Sequence, residues 1–193
     1  MGATMKNIEV YSSDEKETML VLARSTIENA LKKLSPPAPD SLPAKLHETR
    51  SCFVTLHTMD GALRGCIGNI EAFEPLFSNI IHNADNSAFH DPRFQRVKSL
   101  DELLGIVIEI SVLTPTETIK SPDDFIVGEH GIILSKGGNS SVFLPQVALE
   151  QGWDRETTLA HLALKAGLDP YAWKDADVEF KIFRAIVFSE KEK

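Results

Sequence analysis

Residues 52–68 read CFVTLHTMDGALRGCIG, two β-prone runs on either side of Asp60-Gly61. That dipeptide is a strong hairpin signal, because glycine takes up a positive φ at no steric cost. A two-residue turn there sets Met59 opposite Ala62, Leu56 opposite Gly65, Thr55 opposite Cys66 and Val54 opposite Ile67. Side chains then sort by parity. Val54, Leu56, Leu63 and Ile67 share a core face, and Phe53, Thr55, His57, Arg64 and Cys66 share the other. Cys52 falls on the core side, which disfavours a disulfide to Cys66.

Upstream, Leu20, Ala23, Ile27, Ala30, Leu31 and Leu34 recur at helical spacing over residues 13–34, with Asp14, Glu15 and Glu17 in the first turn. Ser35-Pro36-Pro37-Ala38-Pro39 stops that helix and opens an extended linker to about residue 47, where a lobe boundary is expected. Downstream, Leu76, Ile80, Ala84 and Ala88 predict a second helix over residues 75–89, closed by Asp91-Pro92. Residues 105–114 alternate as a strand. Residues 131–136 and 141–144 flank Gly137-Gly138-Asn139-Ser140 as a second hairpin, and Asp154 caps a helix that ends at Gly167. The last strand, 178–188, changes its apolar parity midway, which predicts a bulge or burial on both faces. Hairpins with isolated helices, lacking βαβ alternation, predict an α+β fold with a mainly antiparallel sheet.

The 193 residues, 42% hydrophobic, can bury a core without disulfides. Two cysteines do not make a secreted framework, so a reducing cytoplasm is the expected location. No run of roughly 18 apolar residues predicts a membrane span. A formal net charge of −8, with no basic stripe, argues against nucleic acid as a partner. Two cysteines also cannot ligate an iron–sulfur cluster, no histidine pair has metal-site spacing, and no cofactor is assigned.

Chemistry concentrates on the hairpin's second face. An arginine beside a cysteine favours the reactive thiolate, which makes Cys66 a candidate nucleophile or redox thiol and Arg64 its partner; equally, Cys66 is a small packed hydrophobe. Gly65 and Gly68 permit close approach of a ligand or of another backbone segment. His57 and His130 are candidate bases, the latter set between glycines in Gly128-Glu129-His130-Gly131. Arg93, in Asp91-Pro92-Arg93-Phe94, either anchors an anion or pairs with Asp91, and Gln146 either orients a ligand or simply follows the strand end marked by Pro145.

Seven blocks in one order, FVTL at Phe53, LRGCIG at Leu63, DPRF at Asp91, EISVLTP at Glu109, LPQVA at Leu144, GW at Gly152 and KAGL at Lys165, resemble the AMMECR family, whose prokaryotic members are called AmmeMemoRadiSam system protein A. The likeness spans residues 50–170, with residues 1–47 as an N-terminal helix and linker of a single domain of two subdomains. After Phe94, where the family pattern leads one to expect a proline, the chain has Gln95 and Arg96. The resemblance implies two closely packed lobes with a cleft lined by LRGCIG, and association with a Memo-like protein and a radical S-adenosylmethionine protein. It implies no reaction. The expectation is therefore an enzyme or enzyme subunit using Cys66 on a small anionic substrate, with His130 or His57 as base and Arg64, Gly65, Gly68, Asp91, Arg93 and Gln146 around the ligand. The alternative is a non-catalytic adaptor for those partner proteins.

Overall fold

The computed structural model describes residues 11–38 and 41–190. In chain order the elements are α1 (Ser13–Leu31), β1 (Cys52–Thr58), β2 (Leu63–Gly68), α2 (Leu76–Phe89), α3 (Leu100–Leu104), β3 (Ile106–Leu113), β4 (Glu117–Ile119), β5 (Gly131–Lys136), β6 (Asn139–Phe143), α4 (Pro145–Gln151), α5 (Arg155–Lys165), β7 (Glu179–Phe183) and β8 (Ala185–Ser189). The strands form two antiparallel sheets, ordered β2-β1-β3-β8 and β4-β7-β5-β6, an α+β fold. No helix among the described residues is long and apolar enough to cross a membrane.

The chain divides into two compact units, one made of Met1–Leu113 and Ile186–Lys193, the other of Thr114–Ala185. The boundary therefore does not fall in the proline-rich linker. That segment lies inside the first unit, where Leu46 is fully buried and the Leu76 N–H donates to the Glu48 carbonyl at 2.9 Å.

In the first unit, Cys52, Val54 and Leu56 of β1 are wholly buried with Ile108 and Ile110 of β3, packed with Ile80 and Ala84 of α2 and Met19, Ala23 and Ile27 of α1. A capping box starts α1, the Ser12 hydroxyl accepting from the Glu15 N–H while the Glu15 carboxylate accepts from the Ser12 N–H. The buried face of α2 also carries Asn79, Asn83 and Ser87, four residues apart. The Cys52 N–H donates to Asn79 Oδ1 (2.9 Å) and Asn83 Nδ2 donates to the Cys52 carbonyl (3.1 Å). Ser87 stands between two strands: the Ile67 N–H donates to its Oγ (2.8 Å), and its hydroxyl donates to the Val54 carbonyl (2.7 Å). The helix thus completes backbone bonds that β1 and β2 leave unmade. Ser87→Ala strands both groups and is expected to cost about 2 kcal/mol, read as a lowered urea midpoint; an unchanged midpoint would refute the bridge.

In the second unit, the predicted turn narrows to Gly137-Gly138, both at positive φ. Phe125, Ile132, Leu134, Leu159, Leu162, Ala163 and Phe180 make the core, and Asp154 caps α5 by accepting the Thr157 N–H at 2.8 Å. The parity change in residues 178–188 is not a bulge. β7 ends at Phe183, β8 begins at Ala185, and the two belong to different sheets. Pro145, read as a strand end, opens α4, where a missing N–H costs nothing.

Candidate functional site

The hairpin at 52–68 forms with one difference at its tip. Thr55 faces Cys66 and Leu56 faces Gly65 as predicted, but the register then shifts so that His57 faces Leu63. The loop is longer than two residues, with the Thr58 N–H donating to the Ala62 carbonyl (2.9 Å) and Gly61 at φ +91°. Arg64 is the extra residue of the resulting bulge. Leu63, expected in the core, shares the face of His57 and is 42% exposed. Arg64, expected beside Cys66, turns instead to α3, where its Nε and Nη2 donate to Glu102 Oε1 (3.2 and 2.7 Å). Burial raises the Glu102 carboxyl pKa, but the Lys98 N–H and the Arg64 guanidinium outweigh it and leave the pKa lowered.

The arginine at Cys66 is Arg93. The Cys66 N–H donates to Asp91 Oδ2 (2.9 Å), and Arg93 Nη2 donates to the Cys66 carbonyl (2.9 Å). Arg93 also binds Asp91 through Nε (3.0 Å) and Nη2 (2.8 Å), and through its backbone N–H (3.1 Å). The Asp91 side chain is buried while that of Arg93 is 56% exposed. The Arg93 guanidinium, helped by the two backbone N–H groups and opposed by burial, holds the Asp91 carboxyl well below the usual carboxylate range. Because β2 is an edge strand, this clasp occupies the outward N–H and carbonyl of Cys66 and closes that position to a further strand.

The two glycines serve packing. A Cβ on Gly65 would lie 2.3 Å from the Ser87 carbonyl oxygen, and one on Gly68 would lie 2.3 Å from the Phe53 ring and 2.6 Å from the Cys52 carbonyl oxygen. The close approach they allow is to the protein's own backbone and side chains, the second of the two readings above.

On the sheet face opposite the core, the register aligns Cys66, Thr55 and Glu109 in one row across β2, β1 and β3. The Thr55 hydroxyl donates to Cys66 Sγ at 3.3 Å. Cys66 is partly exposed, whereas Cys52 is sealed in the core and burial pushes its thiol up to about 12. His57, two residues along from Thr55, brings Nε2 to 3.9 Å from Glu109 Oε1. His57 is diagonal to Cys66 across the strand pair, a backbone spacing of about 7–8 Å.

The other predicted residues belong to the second unit. His130, expected to be presented by its glycines, is 4% exposed. Gly128, at φ +83°, makes the turn, and the Ile126 N–H donates to His130 Nδ1 at 3.2 Å, so the ring closes that turn from inside. Its Nε2 is buried without a hydrogen-bond partner among the described residues, 3.8 Å from Glu129 Oε1, an oxygen that accepts from Arg184 Nη2 at 2.5 Å. Burial, then the Arg184 charge, lowers the imidazole pKa against the opposing pull of Glu129 and Glu117. His130 is thus buried where an exposed side chain was expected. Gln146 is exposed in the first turn of α4. Among the described residues no three His, Cys, Asp or Glu side chains converge as metal ligands would.

A family model for AMMECR1 matches residues 20–188. This chain belongs to the AMMECR1 family. Its AMMECR1-type sequence is 39% identical to Protein MK0488 of Methanopyrus kandleri, covering 95% of this chain and 92% of that one. Protein MJ0810 of Methanocaldococcus jannaschii is 44% identical over 88% of this chain and 87% of its own. The crystal structure of uncharacterized protein PH0010 from Pyrococcus horikoshii superimposes with a TM-score of 0.84 at 40% identity, covering 93% of each chain.

Proposed function

We propose that this AMMECR1-family chain is a cysteine-dependent enzyme, or the thiol-bearing subunit of one, in which Cys66 attacks a small substrate lying on the polar face of β1, β2 and β3. The observation that carries this reading is the rigid presentation of a partly exposed thiol. Asp91 and Arg93 pin the Cys66 backbone from outside, Ser87 pins the adjoining residue from behind, and the Thr55 hydroxyl orients the sulfur. A reacting group must be held in place to be useful, and these contacts fix the strand that carries the thiol. In this scheme Cys66 is the nucleophile, and His57, whose Nε2 lies 3.9 Å from Glu109 Oε1, moves a proton through a bridging water. The cytoplasm is the compartment that suits it, since both cysteines there stay reduced.

Alkylation with iodoacetamide from pH 6 to 9, read by mass spectrometry, tests the proposal. Cys66 is expected to label about a hundredfold faster than Cys52 in the folded chain, with the difference lost in urea. Equal labelling of the two in the folded chain would overturn it.

One feature favours a second reading, a non-catalytic adaptor for a Memo-like or radical S-adenosylmethionine protein. Met59 and Leu63 expose apolar surface at the hairpin tip. Pull-downs with those proteins using Cys66→Ser and Leu63→Glu chains separate the readings. Binding that needs Leu63 but not the thiol, with no thiol-dependent turnover, supports the adaptor.

A further inference from the structure

The charges on the Cys66 face indicate what kind of substrate it takes. A small anion was expected because of Arg64 and Arg93. Each of those guanidiniums already carries a carboxylate, Glu102 at 2.7 Å and Asp91 at 2.8 Å, so neither adds net positive charge. Glu109 is different: its partner among the described residues is His57 at 3.9 Å, which is charged only when protonated. The face therefore carries a carboxylate with no lysine or arginine partner among the described residues, of the same sign as the chain's net charge of −8.

We propose that the Cys66 site takes a cationic ligand, with an alkylammonium group seated at Glu109 while the reacting atom lies at Cys66. The placement of the reacting atom rests on the thiol reading above; the cation subsite does not. The register supplies the spacing. Cys66, Thr55 and Glu109 occupy successive strands about 4.8 Å apart, so Cys66 and Glu109 are separated by about 10 Å across the short Thr55 side chain. A ligand with a few carbon atoms between its reacting atom and its ammonium group spans that row. A free amine, a lysine side chain and a peptide N-terminus share this chemistry.

Three disulfide probes of similar size test the inference: cystamine, bis(2-hydroxyethyl) disulfide and 3,3′-dithiodipropionate. In each exchange the Cys66 thiolate attacks one probe sulfur, the probe S–S bond breaks, and the other half leaves as a thiolate that takes up a proton. The ratio of the cystamine rate to the dithiodipropionate rate is expected to be about fivefold higher in the native chain than in Glu109→Gln, and to fall toward the variant's value at high salt. An equal ratio in the two chains overturns the proposal. A second arm needs no thiol. In Cys66→Ser, saturation-transfer NMR should detect binding of 1,4-diaminobutane that Glu109→Gln abolishes, with succinate as the anionic control. Glu109-dependent diamine binding without probe exchange at Cys66 would sink the thiol reading and keep the cation subsite. Failure to bind diamine, or preference for succinate, would sink the subsite whatever Cys66 does. Nα-acetyl-lysine amide and a short lysine-free peptide, run in the same assay, separate the side-chain source from the N-terminal one.

Discussion

Gly65→Ala is expected to destabilise the first unit by about 3 kcal/mol, the upper end for overpacking in a tight core. The added methyl would sit 2.3 Å from the Ser87 carbonyl oxygen and 3.2 Å from its carbon. Those atoms belong to the backbone of α2, so no side-chain rotation relieves the clash and the helix must move away from β2. That movement pulls the Ser87 hydroxyl from between Ile67 and Val54, and drags Asn83 from the Cys52 carbonyl. The methyl therefore costs both overlap and backbone hydrogen bonds. Gly105→Ala is the control, since its Cβ would meet only the Glu102 carbonyl oxygen at 3.4 Å. Urea denaturation should show Gly105→Ala within about 0.5 kcal/mol of the parent. A Gly65→Ala chain that also stayed within that range would refute the helix-to-strand contact as the reason for this glycine.

The same contact explains what could and could not be read beforehand. Alternating apolar residues and Asp60-Gly61 made the pairing of Val54 with Ile67 and of Thr55 with Cys66 legible, because one face of that hairpin must be buried. The bulge at Arg64 was not legible. A three-residue loop with a compensating bulge preserves the register of the outer pairs, so the apolar pattern is nearly the same for either tip. Yet that one residue decides whether the guanidinium lies beside Cys66 or beside Glu102. The two roles left open for Arg93 resolve together, since it pairs with Asp91 and also reaches the Cys66 carbonyl. Ser87 was missed because a serine on a helical face reads as solvent-exposed. Its signal was the four-residue spacing with Asn79 and Asn83 beside the stripe of Leu76, Ile80 and Ala84. For His130, the flanking glycines correctly signalled a sharp turn, but a turn says nothing about whether its side chain points outward.

Asp91→Asn should cost about 2 kcal/mol at pH 7, and that cost should shrink as the solution is acidified. The buried carboxylate accepts the Cys66 N–H and two guanidinium bonds, and the amide can keep the first but not the charge that pairs with Arg93. The Asp91 pKa in the folded chain is depressed, so its contribution is fully present above the unfolded value of about 3.9 and is lost as pH falls from there through the folded value. The parent and the variant should therefore differ fully at pH 5 to 8 and begin to converge below about pH 4, as read from urea midpoints at each pH. A difference unchanged down to pH 3 would mean that the ion pair contributes nothing, and that Asp91 acts only as a neutral hydrogen-bond acceptor. The clasp also links stability to the site. With Arg93 released, nothing holds the Cys66 carbonyl from outside, and the edge of β2 gains freedom at the residue whose thiol is proposed to react. Asp91→Asn should then broaden the orientation of Cys66 and lower its thiol-dependent turnover, even at a pH and temperature where the chain is fully folded. A variant that lost stability but kept that turnover would show that the clasp serves the fold alone.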